Sequence, residues 1–173
     1  QLKDFWKFNS TNGTWEQLVS PGGSKRVDAV TFVIGQKAYL ALGTNNGQNV
    51  SDFWAFDEAT ESWTQLRKTS NVSDDSFDDD YATILRYKAV AFTIAGKGYV
   101  TTGITSGYNS ITWEYTPETD LWEQKTDFEG TARESAVAFS IGNRGFVGLG
   151  RSSSLRFDDV REFFPEEEED SDD

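Results

Sequence analysis

Residues 136–150 read AVAFSIGNRGFVGLG, and nearly the same phrase stands at 89–103 (AVAFTIAGKGYVTTG) and at 29–43 (AVTFVIGQKAYLALG). Each copy holds an apolar run, a tight-turn signal containing Gly35, Gly96 or Gly142, a second apolar run and a closing glycine (Gly43, Gly103, Gly150). The first run is nearly unbroken, as expected of a strand covered on both faces, and the turn glycines permit positive φ. Each phrase therefore predicts a hairpin.

A second unit alternates with the first: DFWKFNSTNGTWEQL at 4–18, DFWAFDEATESWTQL at 52–66 and ITWEYTPETDLWEQK at 111–125. In all three an aromatic residue precedes a Trp by seven positions across a polar turn (Phe8 and Trp15, Phe56 and Trp63, Tyr115 and Trp122), with an earlier Trp at 6, 54 and 113. These predict hairpins too. An Arg also stands three positions before the first Ala of each phrase, at Arg26, Arg86 and Arg133. Two hairpins per period of about fifty residues make one four-stranded unit of a repeating all-β architecture. Ten to thirteen short strands are expected, with no helix beyond about two turns. Each aromatic–Trp pair is expected to be buried between neighbouring units, where large rings fill the core of a repeat protein.

These repeats resemble the kelch family, the galactose-oxidase-like β-propellers, and are most similar to kelch proteins of Bacteroidetes-type bacteria. The resemblance rests on the closing glycines, the aromatic-to-Trp spacing and the recurring Arg. It implies four-stranded antiparallel blades, with a partial blade at 1–18, blades at 29–66, 89–125 and 136–164, and an acidic tail at 165–173. The last blade lacks a fourth strand, because Asp170 in the run EEEEDSDD stands where a Trp is due. The tail is too charged to pack and is expected to be disordered. The chain then corresponds to an open arc of about three blades, the C-terminal half of a roughly six-bladed propeller. Unpaired edges and bare blade faces are aggregation hazards, so the remaining half as a separate chain, or a second copy, is expected as partner. An extracytoplasmic location is likewise implied by the resemblance alone. Gln1 in place of Met reads as a processed or excised start.

Composition limits the chemistry. The net charge of −13 is concentrated in the tail, with seven acids from Glu166 onward, and in the five aspartates Asp74, Asp75, Asp78, Asp79 and Asp80, which leaves the rest of the chain close to neutral. No clustered Lys and Arg mark a phosphate-binding stripe, so a nucleic-acid partner is not expected. No run is apolar enough for a transmembrane segment. The chain has no Cys and no His. The copper site implied by the galactose oxidase likeness needs His ligands and a Cys-linked Tyr, so copper oxidase chemistry is not expected here. Ser-His-Asp and Cys-His catalysis lack their base.

The expectation is a noncatalytic binding or scaffolding module recognising glycan or protein, with no cofactor. The alternative is part of a carbohydrate-active enzyme whose reactive residues lie upstream. The ligand is expected where loops from the second to the third strand of each blade emerge. Asn45, Asn46, Gln48 and Asn49 come from the first loop, Tyr108 and Asn109 from the second, and Arg151, Ser152 and Arg156 from the third. Arg26, Arg86 and Arg133 approach the same rim, although pairing between blades is the plainer role for them. The five aspartates at 74–80 offer oxygen ligands suited to calcium, in a spacing unlike an EF-hand.

Overall fold

The structure, a computed structural model, describes residues 2–70 and 83–165. The acidic loop and the tail beyond Pro165 lie outside the described residues, and with them the calcium and disorder expectations. Among the described residues there is no α-helix, and no helix long and apolar enough to cross a membrane.

The repeated phrases form the first hairpin of each of three antiparallel sheets. In the first sheet β3 (Val30–Ile34) pairs with β4 (Lys37–Ala41). β4 pairs in turn with β7 (Trp54–Asp57), and β7 with β8 (Ser62–Gln65). The second sheet repeats this order with β9 (Val90–Ile94), β10 (Lys97–Thr101), β11 (Thr112–Thr116) and β12 (Leu121–Lys125). The third has β13 (Val137–Ile141), β14 (Arg144–Gly148) and β17 (Val160–Phe163). Ahead of them, β1 (Phe5–Asn9) and β2 (Thr14–Leu18) form a two-stranded hairpin. These thirteen strands are those read from the sequence. Four more are two residues long and were expected as loop: β5 (Thr44–Asn45) with β6 (Gln48–Asn49), and β15 (Arg151–Ser152) with β16 (Leu155–Arg156). Asn46 and Gly47, both at positive φ, supply the turn between β5 and β6.

The sheets pack face to face in chain order, β3 against β9 and β9 against β13 and β14. One core cluster lies between the first and second sheets, around Phe32, Tyr39, Phe53, Tyr115 and Trp122. The other lies between the second and third, around Phe92, Tyr99, Val147 and Phe163. Each of these first hairpins carries a cross-strand ring stack in the same register: Phe32 on Tyr39 at 5.0 Å, Phe92 on Tyr99 at 5.6 Å and Phe139 on Phe146 at 5.3 Å.

The closing glycines are required by backbone approach. Gly43, Gly103 and Gly150 sit at φ of 84°, 88° and 87°. A Cβ on them would meet Val27 O at 2.5 Å, Ala89 N at 2.8 Å and Glu134 O at 2.7 Å, contacts no side chain tolerates. The Gly43 amide donates to Arg86 O (3.0 Å) and the Gly103 amide to Arg133 O (2.7 Å), tying each sheet to the next.

Burial of the aromatic–Trp pairs is graded. Tyr115 and Trp122 are buried, and Phe56 is buried with Trp63 half-exposed. Phe8 and Trp15 are exposed, correcting the expectation that every pair is buried: they form the same 4.9 Å ring contact, but no described sheet covers that face.

Candidate functional site

The strands β4, β10 and β14 end at one rim, where the segments after Gly43, Gly103 and Gly150 emerge together. The β5–β6 hairpin walls a groove of about 560 Å³ lined by Asn45, Asn46, Gln48 and Asn49 together with Ser24, Val50, Ser51, Asp52, Gln65 and Lys68. This volume falls within the range of small-ligand sites. Five side-chain amides, two hydroxyls and one ammonium make the lining rich in groups that donate and accept hydrogen bonds. Asp52, its carboxylate, is ion-paired with Arg26 and accepts the Ser24 amide at 2.9 Å. Asn49 is partly engaged, donating to Leu85 O at 3.3 Å.

A second polar cluster lies on the following sheets at the same rim. Ser153 N donates to the Tyr108 hydroxyl at 2.7 Å, joining the 104–109 segment to the β15–β16 hairpin. Arg151 and Lys88 each donate to Glu134 at 2.7 Å. The Lys88 ammonium, and beside it the Arg151 guanidinium, hold the buried Glu134 carboxyl below the usual range against the opposing effect of burial. Lys88 is raised in turn by its bond to Glu134. Arg156 is exposed, directly opposite Arg151 in the ladder, and Ser152 is half-buried. The groove lining includes none of Tyr108, Arg151, Ser152 or Arg156, so the rim residues expected to act together fall into two groups.

Four of the expected rim contacts are internal. Arg86 and Arg133 are fully buried, and the Arg26 side chain is 7% exposed. The three repeat one role. Arg26 donates to Leu42 O, Arg86 to Thr102 O and Arg133 to Leu149 O, at 3.2, 2.9 and 3.0 Å, and each acceptor carbonyl belongs to a positive-φ residue before the closing glycine. Each Arg then reaches the start of its third strand: Asp52, Ile111 O at 2.7 Å, and Asp159 through two bonds of 2.5 and 3.0 Å. Burial pushes Arg86, which has no carboxylate at that position, down to about 10. Arg133 holds Asp159 below its ordinary value. Asn109 is also buried, accepting from Ile111 N at 2.7 Å and donating to Thr105. Guanidinium and amide groups at these places close backbone turns rather than face solvent.

The sequence reading missed Lys88 and Glu134, and the Ser24, Ser51, Gln65 and Lys68 walls of the groove. A signal existed for the first two. In the otherwise uniform phrases RVDAV, RYKAV and RESAV, the two positions after Arg change freely, and the structure places them at the rim. The groove walls come from segments far apart in the chain and carry no local pattern. Among the described residues no group of three or more potential metal ligands converges.

Comparison with known proteins locates the fold. No family model matches the chain, and no curated protein does. Among solved structures it is similar to the protein described as YjhT, with a TM-score of 0.75 and 18% sequence identity over 94% of this chain. The likeness spans 57% of the YjhT chain, and at this identity it concerns the fold alone.

Proposed function

We propose that this chain is a kelch-type segment of a β-propeller, an arc of successive blades, and that it binds a glycan in the groove walled by the β5–β6 hairpin. Three sheets of one strand order, stacked in sequence and tied by the same arginine and glycine contacts, support the propeller reading.

The observation that carries the ligand reading is the lining itself. Asn45, Asn46, Gln48 and Asn49 present paired donors and acceptors that match sugar hydroxyls, within a concavity large enough for one or two sugar rings. The carboxylate in that lining, Asp52, is committed to Arg26, which favours recognition over acid–base chemistry at this place. An extracytoplasmic setting would suit such a role.

A glycan array followed by calorimetric titration of the best hit tests this. Changing Asn45, Asn46 and Gln48 together to Ala is expected to weaken binding at least about tenfold, equivalent to about 1.4 kcal/mol. Binding that survives this change but disappears with Tyr108, Arg151 and Arg156 changed to Ala would move the site to the second cluster. An array without hits, with a protein captured through the groove instead, would overturn the glycan assignment.

A further inference from the structure

The third sheet repeats the first two in sequence and register, but no described strand packs over its outer face. Phe32 and Phe92 are 5% and 3% exposed, whereas Phe139, at the same register position, is 44% exposed. Its neighbours Val137 and Ile141 are exposed as well, while Val30, Val90 and Ile94 are buried. The two covered faces show what the cover must be. The Phe32 ring lies where a Cβ on Gly98 would stand, and the Phe92 ring lies likewise over Gly145. Directly across the ladder from each glycine is an aromatic residue, Tyr115 opposite Gly98 and Phe163 opposite Gly145, and each packs on the ring from the preceding sheet. The bonds that tie sheet to sheet also stop here. The Gly43 and Gly103 amides reach the next sheet, but the Gly150 amide donates to no described residue.

We propose that the Val137–Phe139–Ile141 face is an interface for a further β-sheet that carries a glycine beneath Phe139 with an aromatic residue opposite it, supplied by polypeptide other than a second copy of residues 1–173. Two features rule against a second copy. Ala38 occupies the position of Gly98 and Gly145, and its Cβ would overlap a ring seated as Phe32 and Phe92 are. The place where a copy's β17 would arrive is also taken, because β1–β2 already stands against the first sheet as β7–β8 stands against the second. Phe5 lies 4.9 and 5.1 Å from Phe56 and Trp63, just as Phe53 lies 4.8 and 5.4 Å from Tyr115 and Trp122. This surface is separate from the rim groove, so the proposal does not depend on the ligand.

Photo-crosslinking tests it. Phe139 is replaced by p-benzoyl-phenylalanine in the cells that make the protein, with the same probe at Ile141 as a second variant, and the crosslinked peptide is sequenced. The expected product is a peptide from outside residues 1–173 with a glycine in an apolar strand, obtained from both positions, while the purified chain alone gives none. A crosslink to residues 30–41 of another copy, a product lacking such a glycine, or no crosslink from either position would overturn the proposal. Because both probes replace exposed side chains, a native circular dichroism spectrum and unfolding midpoint confirm that each variant is folded.

Discussion

The second and third sheets are built from nearly the same phrase, AVAFTIAGKGYVTTG and AVAFSIGNRGFVGLG, yet their first strands have opposite fates. β9 is covered by β3 on one side and by β13 and β14 on the other, so Val90, Phe92 and Ile94 are all buried. β13 has the same pleat, turn and ring stack, and Val137, Phe139 and Ile141 are exposed. The comparison separates two things a repeat specifies. Strand, register and turn are set within the hairpin, whereas burial, and the stability that follows from it, comes from the neighbouring sheet.

The largest effect should distinguish the two ends of the aromatic–Trp series. Trp122→Ala empties a buried site and is expected to lower stability by about 3–5 kcal/mol, whereas Trp15→Ala should cost no more than about 0.5 kcal/mol. Urea unfolding of both variants measures this. Trp63, half-exposed, should fall between them.

A smaller effect should follow from the ring-over-glycine contacts. Gly98→Ala pushes a methyl into the Phe32 ring and is expected to cost about 1–3 kcal/mol, the usual range for overpacking. The reciprocal change Ala38→Gly, at the matching place of the first sheet, should cost under about 1 kcal/mol. Equal losses in thermal unfolding would mean that sheet contact does not decide the matter.

Much of this was legible in the chain. The thirteen longer strands follow from apolar runs punctuated by glycine, and the aromatic–Trp spacing marks rings that meet across β7–β8 and β11–β12. The recurring Arg announced a repeated role, with pairing to carboxylates or carbonyls the plainer one, but not that the partners lie within its own repeat. Arg86 and Arg133 turn inward because positive-φ residues before the closing glycines leave carbonyls that need donors. Asn109 was misjudged for a similar reason, since a polar residue in a loop closes its own turn as readily as it meets a ligand. The β5–β6 hairpin is short and wholly polar, so only the Asn46–Gly47 pair signalled it. The groove could not be read from the sequence, because Ser24, Asn46 and Lys68 meet only through the packing of distant segments.

The smallest expected effect is on pH dependence, and it contrasts the linked second and third sheets with the rest. The folded value of Glu134 lies below the ordinary carboxyl value of about 4.3, so its contribution is present above that pH and is lost as pH falls through the depressed value. Lys88 lies above its ordinary value of about 10.4, and its contribution is present below that pH and lost as pH rises through the folded value. Glu134→Gln removes both, so stability measured from pH 3 to pH 11 should vary less steeply at each end than in the unaltered protein. Unchanged slopes at both ends would show that the Lys88–Glu134–Arg151 contacts contribute nothing to stability.

The most direct test of the central claim, that burial in this molecule is conferred by the adjoining sheet, is a matched pair. Phe92→Ala and Phe139→Ala remove the same side chain from the same register position of two near-identical hairpins, and denaturant unfolding of the isolated chain reads each loss. The expected losses are about 3–5 kcal/mol for Phe92 and about 1 kcal/mol or less for Phe139. Equal losses at the two positions would contradict the account.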